Sequence, residues 1–127
     1  MTTLKAFLFD LDGTLCDSLH YCISLIVECS SKATGNLFTP EHITQYLGVA
    51  DKGIIRYLSK EKFDHAYEIY LKRFKDEHHK VPTPFEGIVD ILEHLKKQDI
   101  KIVLITGRGE DTTHISLDYY GIKHYFD

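Results

Sequence analysis

Two aspartates separated by one residue, Asp10 and Asp12, are the side chains of this sequence best suited to chemistry. They end an apolar run, and Gly13 and Thr14 follow them at once. Alternate side chains of an extended strand point to opposite faces, so both carboxylates reach one ligand only if the chain bends after Asp10. Gly13 permits such a bend. One carboxylate could then act as a nucleophile while the other exchanges a proton.

A hard cation between the two carboxylates would relieve their mutual repulsion. Mg²⁺ fits this position, because it binds carboxylate oxygens and keeps waters and phosphate oxygens as further ligands. A second polar cluster, Thr106 and Gly107, could donate a hydroxyl and an amide to the oxygens of an anion. The two aspartates alone would equally describe a capped strand end with two solvated side chains.

Each polar cluster follows an apolar run, at residues 4–9 and 100–105, that predicts a strand. Runs without alternation are typical of strands buried on both faces, as in a parallel sheet. Ligands of such sheets bind beyond the carboxyl ends of the strands. The sequence therefore predicts that both clusters lie at one edge of the sheet.

The remaining segments predict helices. These are residues 18–33 after an Asp17-Ser18 cap, then 40–47, 51–58, 60–79, 86–98 and 111–120. The segment Pro82-Thr83-Pro84 is a stiff break between the fourth and fifth of them. The order predicts a doubly wound α/β core, residues 1–16 and 81–127, interrupted by a helical insert over 17–80.

Composition narrows the class of protein. The 127 residues suit one domain, or a core with a small accessory piece, and a net charge of -4 without a basic stripe predicts no nucleic-acid partner. Three cysteines without a paired motif argue against disulfides and structural zinc and favour a cytoplasmic protein. The N-terminal apolar stretch, interrupted by Asp10, predicts neither a signal peptide nor a membrane span.

The string from Phe7 to Ser18 resembles the first motif of the haloacid dehalogenase-like (HAD) hydrolases, an apolar run followed by Asp-x-Asp-Gly-Thr. Its Leu15 and Asp17-Ser18 continuation is typical of phosphatase members with a helical (C1) cap. The apolar segment 102–105 with Thr106 and Gly107 resembles the second motif, and residues 84–87 resemble the return from cap to core. The resemblance implies a Rossmann-like core with an inserted cap.

The resemblance also implies a Mg²⁺-dependent phosphatase that acts on a small phosphorylated metabolite. Asp10 would attack the phosphoryl group and form an aspartyl-phosphate, while Asp12 would protonate the leaving oxygen and then activate water. The Asp10 carboxylate and the Asp12 carbonyl would hold the metal. Thr106 and the amides of Leu11, Asp12 and Gly107 would bind phosphate.

Several alternatives remain open at this point. A mutase of the same family is a near neighbour, whereas Asp12 argues against a true dehalogenase, since cleavage of a carbon–halogen bond needs no acid for a leaving alkoxide. Lys52, Arg56 and Arg108 are possible substrate contacts, and each could equally be surface charge.

The family's third-motif lysine and fourth-motif acidic pair come well after the second motif, and the few residues after Thr106 do not supply them. Lys123 follows too closely to serve as that lysine. We therefore expect the N-terminal portion of such an enzyme, with weak or no turnover by itself. Its partner would be the missing C-terminal part or a second copy at the exposed sheet edge. The alternative is a degenerate, non-catalytic member that acts as a binding module.

Overall fold

The computed structural model describes residues 3–127. In chain order its elements are β1 (Ala6–Phe9), α1 (Leu19–Thr34), α2 (Pro40–Thr44), α3 (Asp51–Ser59), α4 (Phe63–Asp76), α5 (Ile88–Lys97), β2 (Lys101–Leu104) and α6 (Glu110–Tyr120). Single 3-10 turns occupy Lys60–Lys62, His78–Lys80 and Lys123–Tyr125.

The two strands are parallel neighbours, in register from Ala6 opposite Lys101 to Phe9 opposite Leu104. Just beyond the register, the Ile105 amide donates to the Phe9 carbonyl at 2.8 Å. The residues that follow each strand therefore leave the sheet side by side. The predicted α/β fold with a short parallel sheet is confirmed.

Burial on the strands differs from the expectation of two covered faces. Phe9 and Ile102 are buried, whereas Leu8 is 56% and Ile105 is 58% exposed. Alternation places Leu8 and Ile105 on the face opposite Phe9 and Ile102. Helix α5 packs against β2. Within residues 3–127 the face that carries Leu8 and Ile105 is thus the more exposed at these positions, and we call it the open face.

Helices α1 to α4, here called the helical insert, share one apolar core. Helix α1 packs on α3 and α4, and Tyr70 and Phe74 of α4 are fully buried. The Tyr21 hydroxyl donates to the Phe74 carbonyl at 2.6 Å, which fixes α1 against α4. Because α4 also contacts α6, the insert packs on the segment after β2. The boundaries of a separate cap at residues 17–80 stay a prediction.

Two helix ends depart from the sequence-based expectations. Ser18 precedes α1 but makes no side-chain cap bond, because its hydroxyl donates to the Asp12 carboxylate instead. The helix predicted over 60–79 is shorter and is flanked by 3-10 turns. The helix begins only at Phe63, after a 3-10 turn whose first residue, Lys60, has a left-handed φ of 49°.

The last residue described, Asp127, lies along the edge of β2 that faces away from β1. Its amide donates to the Ile102 carbonyl at 2.7 Å, and its carboxylate accepts from the Ile102 amide at 2.9 Å. Residues 3–127 contain no helix with the length and apolar character needed to cross a lipid bilayer.

Candidate active site

A tight turn after β1 presents the two aspartates. The buried Leu11 anchors it, and its carbonyl accepts from the amides of Thr14, Leu15 and Cys16 at 3.2, 2.9 and 3.3 Å. Gly13 has a φ of 78°, a left-handed conformation that glycine adopts without a steric penalty. The bend that the Asp-x-Asp spacing requires is therefore present.

Asp10 is exposed at the start of this turn, and its Oδ1 accepts from the Leu11 amide at 2.7 Å. Asp10 and Asp12 line a cavity of about 300 Å³ together with Thr106, Gly107 and Arg108. The cavity opens between the carboxyl ends of the strands and the helical insert. The structure thus brings together the two polar clusters, Asp10 with Asp12 and Thr106 with Gly107, that the sequence predicts at one edge of the sheet.

The Asp12 carboxylate points away from bulk solvent and binds Arg108. Its Oδ1 and Oδ2 accept from Arg108 Nη2 at 2.5 Å and Nε at 3.2 Å, and Oδ1 also accepts from the Ser18 hydroxyl. Burial acts to raise the pKa of Asp12, but the hydrogen bond and charge of Arg108 outweigh it and the pKa is lowered. Asp12 is therefore ionised at neutral pH.

Arg108 itself is almost fully buried, with 2% of its side chain exposed. Its Nη1 donates to the Thr112 carbonyl at 3.2 Å and to the Ser116 hydroxyl at 2.5 Å, and its guanidinium lies 5.2 Å from the Phe74 ring centre. Sequence reasoning named Arg108 as a possible substrate contact. In the structure its donors are directed to Asp12, to the Ser18 hydroxyl and to the two α6 acceptors.

A buried histidine extends this polar network. His78 Nε2 lies 2.8 Å from the Ser116 hydroxyl, and the His78 ring stacks on Tyr119 at 4.4 Å between centres. Burial lowers the pKa of His78, so the ring is neutral at pH 7. A chain of hydrogen bonds therefore runs from His78 through Ser116 and Arg108 to Asp12.

Lys52 and Arg56, the other possible substrate contacts, lie outside the cavity lining. Lys52 Nζ is 5.1 Å from the centre of the Tyr67 ring, and the Arg56 guanidinium is 4.4 Å from that of Phe63. Both cations therefore rest on aromatic faces of the helical insert.

Asp51, which the sequence reasoning did not single out, joins the insert to α6. Its side chain is buried, and Oδ1 accepts from the amides of Gly109 at 3.1 Å and Lys52 at 2.8 Å. Oδ2 accepts from the hydroxyls of Tyr70 at 2.8 Å and Thr112 at 2.5 Å. One carboxylate thus satisfies donors on α3, on α4 and at the start of α6.

The oxygen donors at the turn fit a magnesium ion. Asp10 offers an exposed carboxylate and Asp12 a backbone carbonyl, and Mg²⁺ commonly uses one or two carboxylates and keeps several waters. Among residues 3–127 there is no cluster of three or more His, Cys, Asp or Glu side chains arranged around a metal. A magnesium ion held by these two oxygens alone would keep waters as most of its ligands.

Comparison with known proteins identifies the family. The model of the haloacid dehalogenase-like hydrolases matches residues 7–127. That match includes both strands, the aspartate turn and the segment after β2. The chain belongs to the haloacid dehalogenase-like hydrolase family.

Individual relatives agree with this assignment. A phosphoglycolate phosphatase of Aquifex aeolicus is 30% identical over 98% of this chain, and the pyrophosphatase PpaX of Bacillus velezensis is 27% identical over 98%. The crystal structure of CbbY from Rhodobacter sphaeroides in complex with phosphate superposes with a TM-score of 0.78 over 98% of this chain, at 16% identity. The chain spans 59%, 57% and 62% of these three proteins, respectively.

Proposed function

We propose that the protein to which these residues belong is a Mg²⁺-dependent phosphatase that forms an aspartyl-phosphate on Asp10. One observation carries the proposal. Asp10 is exposed at a bend and shares a cavity with Thr106 and Gly107, which follow the neighbouring strand. A nucleophilic carboxylate next to donors for phosphate oxygens is the arrangement that phosphoryl transfer requires.

Asp10 attacks phosphorus through a carboxylate oxygen, and the bond to the leaving oxygen breaks. Thr106 and the amides of Leu11, Asp12 and Gly107 donate to the phosphoryl oxygens, which carry the charge of the transition state. Asp12 protonates the leaving oxygen and later takes a proton from the attacking water. The Arg108 contact favours the ionised form of Asp12, so it supports the second of these steps and opposes the first, for which Asp12 must first gain a proton.

The Asp10 carboxylate and the Asp12 carbonyl would hold the metal. A magnesium ion held there would offset the negative charges of the nucleophile and of the phosphoryl group. The remaining metal ligands and a lysine would come from outside these residues, which span about 60% of the related proteins. We therefore expect weak or no turnover from the 127 residues alone.

Relatives named as phosphoglycolate phosphatase and pyrophosphatase support a small phosphorylated substrate. The three cysteines are buried and unpaired, which supports a reducing, cytoplasmic location. Hydrolysis, in preference to the mutase reaction, is supported by the same two names.

Substitution of the nucleophile tests the proposal. Asp10→Asn in the whole protein should abolish Mg²⁺-dependent hydrolysis of an aryl phosphate, because the amide cannot attack phosphorus. Asp17→Asn is the matched control, since Asp17 is an exposed aspartate beyond the turn and does not line the cavity. Activity that survives Asp10→Asn would refute the assignment.

A second candidate function rests on the open face. Leu8 and Ile105 are both more than half exposed, and uncovered apolar surface of a sheet commonly binds a partner. A non-catalytic member of the family could use this face to bind a second copy or the rest of the same protein. Loss of association on Leu8→Lys, without any phosphatase activity in the whole protein, would favour this function.

A further inference from the structure

We propose that the cavity above Asp10 selects a phosphate monoester whose leaving group is apolar and uncharged. This inference rests on the proposed phosphoryl site for one end of the substrate. It concerns the other end, which lies between the strands and the helical insert. The lining of the cavity, its charges and its size each bear on the choice.

The wall of the cavity opposite the aspartates is apolar. It combines one face of α1 with residues from α2, α3 and the intervening loop. The apolar side chains that contribute are Leu19, Ile23, Ile26, Ile43, Leu47, Val49 and Ile54. Three of them, Ile26, Ile43 and Ile54, are at most 4% exposed, so this wall is continuous with the protein core. A leaving group that enters here exchanges water for hydrocarbon, which favours apolar groups.

The charges of the cavity disfavour a second anionic group. Asp10, Asp12 and Asp51 all line it, and its one cation is the guanidinium of Arg108. That guanidinium is already bound to Asp12. Among residues 3–127, a carboxylate or second phosphate beside the apolar wall would find no free positive partner to replace the water that it loses.

The cavity of this chain does not suit the substrates after which its relatives are named. Phosphoglycolate carries a carboxylate beside its phosphate, and pyrophosphate carries a second phosphoryl group. Lys52 and Arg56 could have received such a group, but they rest on Tyr67 and Phe63 outside the lining. The preference of this chain should therefore differ from both.

The size of the cavity suits a compact apolar group. Its volume is about 300 Å³. A dry protein cavity of about 150 Å³ can hold a benzene molecule. The space thus admits one ring, or an aliphatic group of similar size, with the phosphoryl group at the Asp10 end.

Three probes separate this inference from the proposed phosphatase function. The whole protein, labelled at the isoleucine δ1 methyls, is titrated with toluene, and in Mg²⁺ with benzylphosphonate and phosphonoacetate. We expect toluene and benzylphosphonate to shift the methyl signals of Ile23, Ile26, Ile43 and Ile54. Benzylphosphonate should bind about tenfold tighter than phosphonoacetate.

The outcomes have different meanings. Toluene binding at these methyls without benzylphosphonate binding would support the apolar site and count against the phosphoryl site. Failure of toluene to shift them would overturn the inference whether or not phosphonates bind. Phosphonoacetate binding as tight as benzylphosphonate would overturn it as well.

A charge introduced at the rim gives an independent test. Val49 is 51% exposed and lines the cavity, so the fold should tolerate Val49→Lys. The new ammonium group would give a second anionic group of the ligand a positive partner. We expect the preference to move about tenfold toward phosphonoacetate. Leu37→Lys is the matched control, because Leu37 is 86% exposed and lies outside the lining. An equal effect of both substitutions would refute a local role of the cavity wall.

Discussion

Two substitutions at Asp51 separate the charge of its carboxylate from its shape. Asp51→Asn is nearly isosteric. Its amide oxygen can take the place of Oδ1 and accept from Gly109 and Lys52, while its NH₂ group donates to the hydroxyls of Tyr70 and Thr112. Both hydroxyls can rotate to accept. All four contacts survive in this variant, two of them with donor and acceptor exchanged, and the charge is lost.

The two variants should therefore differ widely in stability. Asp51→Ala leaves the buried Tyr70 and Thr112 hydroxyls and the Gly109 amide without their acceptor, at about 1–3 kcal/mol each. We expect a loss of about 3–9 kcal/mol, which is a large part of the 5–15 kcal/mol typical of a domain. For Asp51→Asn we expect about 1–2 kcal/mol, because hydrogen bonds to a charged group are stronger by roughly that amount.

Urea unfolding followed by far-UV circular dichroism measures both values. Tyrosine fluorescence is a second probe, since the chain has eight tyrosines and no tryptophan. The slope of the transition should stay unchanged, which shows that stability alone has moved. If the Asn and Ala variants are equally destabilised, the carboxylate is not the shared acceptor and the reasoning fails.

Asp64 supplies a matched control for the position of Asp51 in a helix. Each residue lies in the first turn of its helix, but Asp64 is exposed. Asp64→Asn and Asp64→Ala should each change the free energy of unfolding by about 0.5 kcal/mol or less. A loss at Asp64 as large as that at Asp51 would indicate a general helix-terminus effect.

Two further predictions concern the buried polar network. Arg108→Met leaves the Asp12 carboxylate without its counter-ion and should lower the free energy of unfolding by about 3–5 kcal/mol. In urea unfolding, the double variant with Asp12→Asn should recover part of this loss. Losses that simply add would contradict the pairing of the two side chains. Burial lowers the pKa of His78 in the folded state, so the unfolded state binds more protons and stability should fall as pH drops below about 6.5. A second loss of stability should follow below about pH 3.8, because the pKa of Asp12 is also lowered in the folded state. Thermal unfolding midpoints between about pH 8 and 3 measure both losses. His78→Gln should remove the loss that begins at about pH 6.5.

The parts of the fold that depend on local sequence were predictable. Gly13 sets the bend beside Asp10 and Asp12, and the apolar runs before Asp10 and Thr106 form strands whose ends meet. Each of these features depends on neighbouring residues and on the general geometry of parallel sheets. The open face was not predictable in the same way, because an apolar run does not reveal how many helices cover it.

The polar network was missed because its partners are far apart in sequence. Asp12 and Arg108 are separated by 96 positions, and Asp51 and Thr112 by 61. Charged residues near turns and helix starts are usually solvated, so composition favoured an exposed Arg108. Ser18 was assigned to a helix cap for a similar reason. Its hydroxyl binds Asp12, an acceptor that only the folded chain brings near.

The contact between Asp51 and Gly109 ties together the evolutionary histories of two distant positions. Gly109 has a φ of -63°, which any residue can adopt, so its backbone conformation does not require glycine. Space does, because a Cβ at this position would collide with Asp51 Oδ1. We expect a lineage that keeps the Asp51 carboxylate in this place to keep glycine at 109, whereas one that loses the carboxylate is free to vary there. The order of such changes is constrained as well, since a larger residue can enter at 109 only once the carboxylate has moved or been lost.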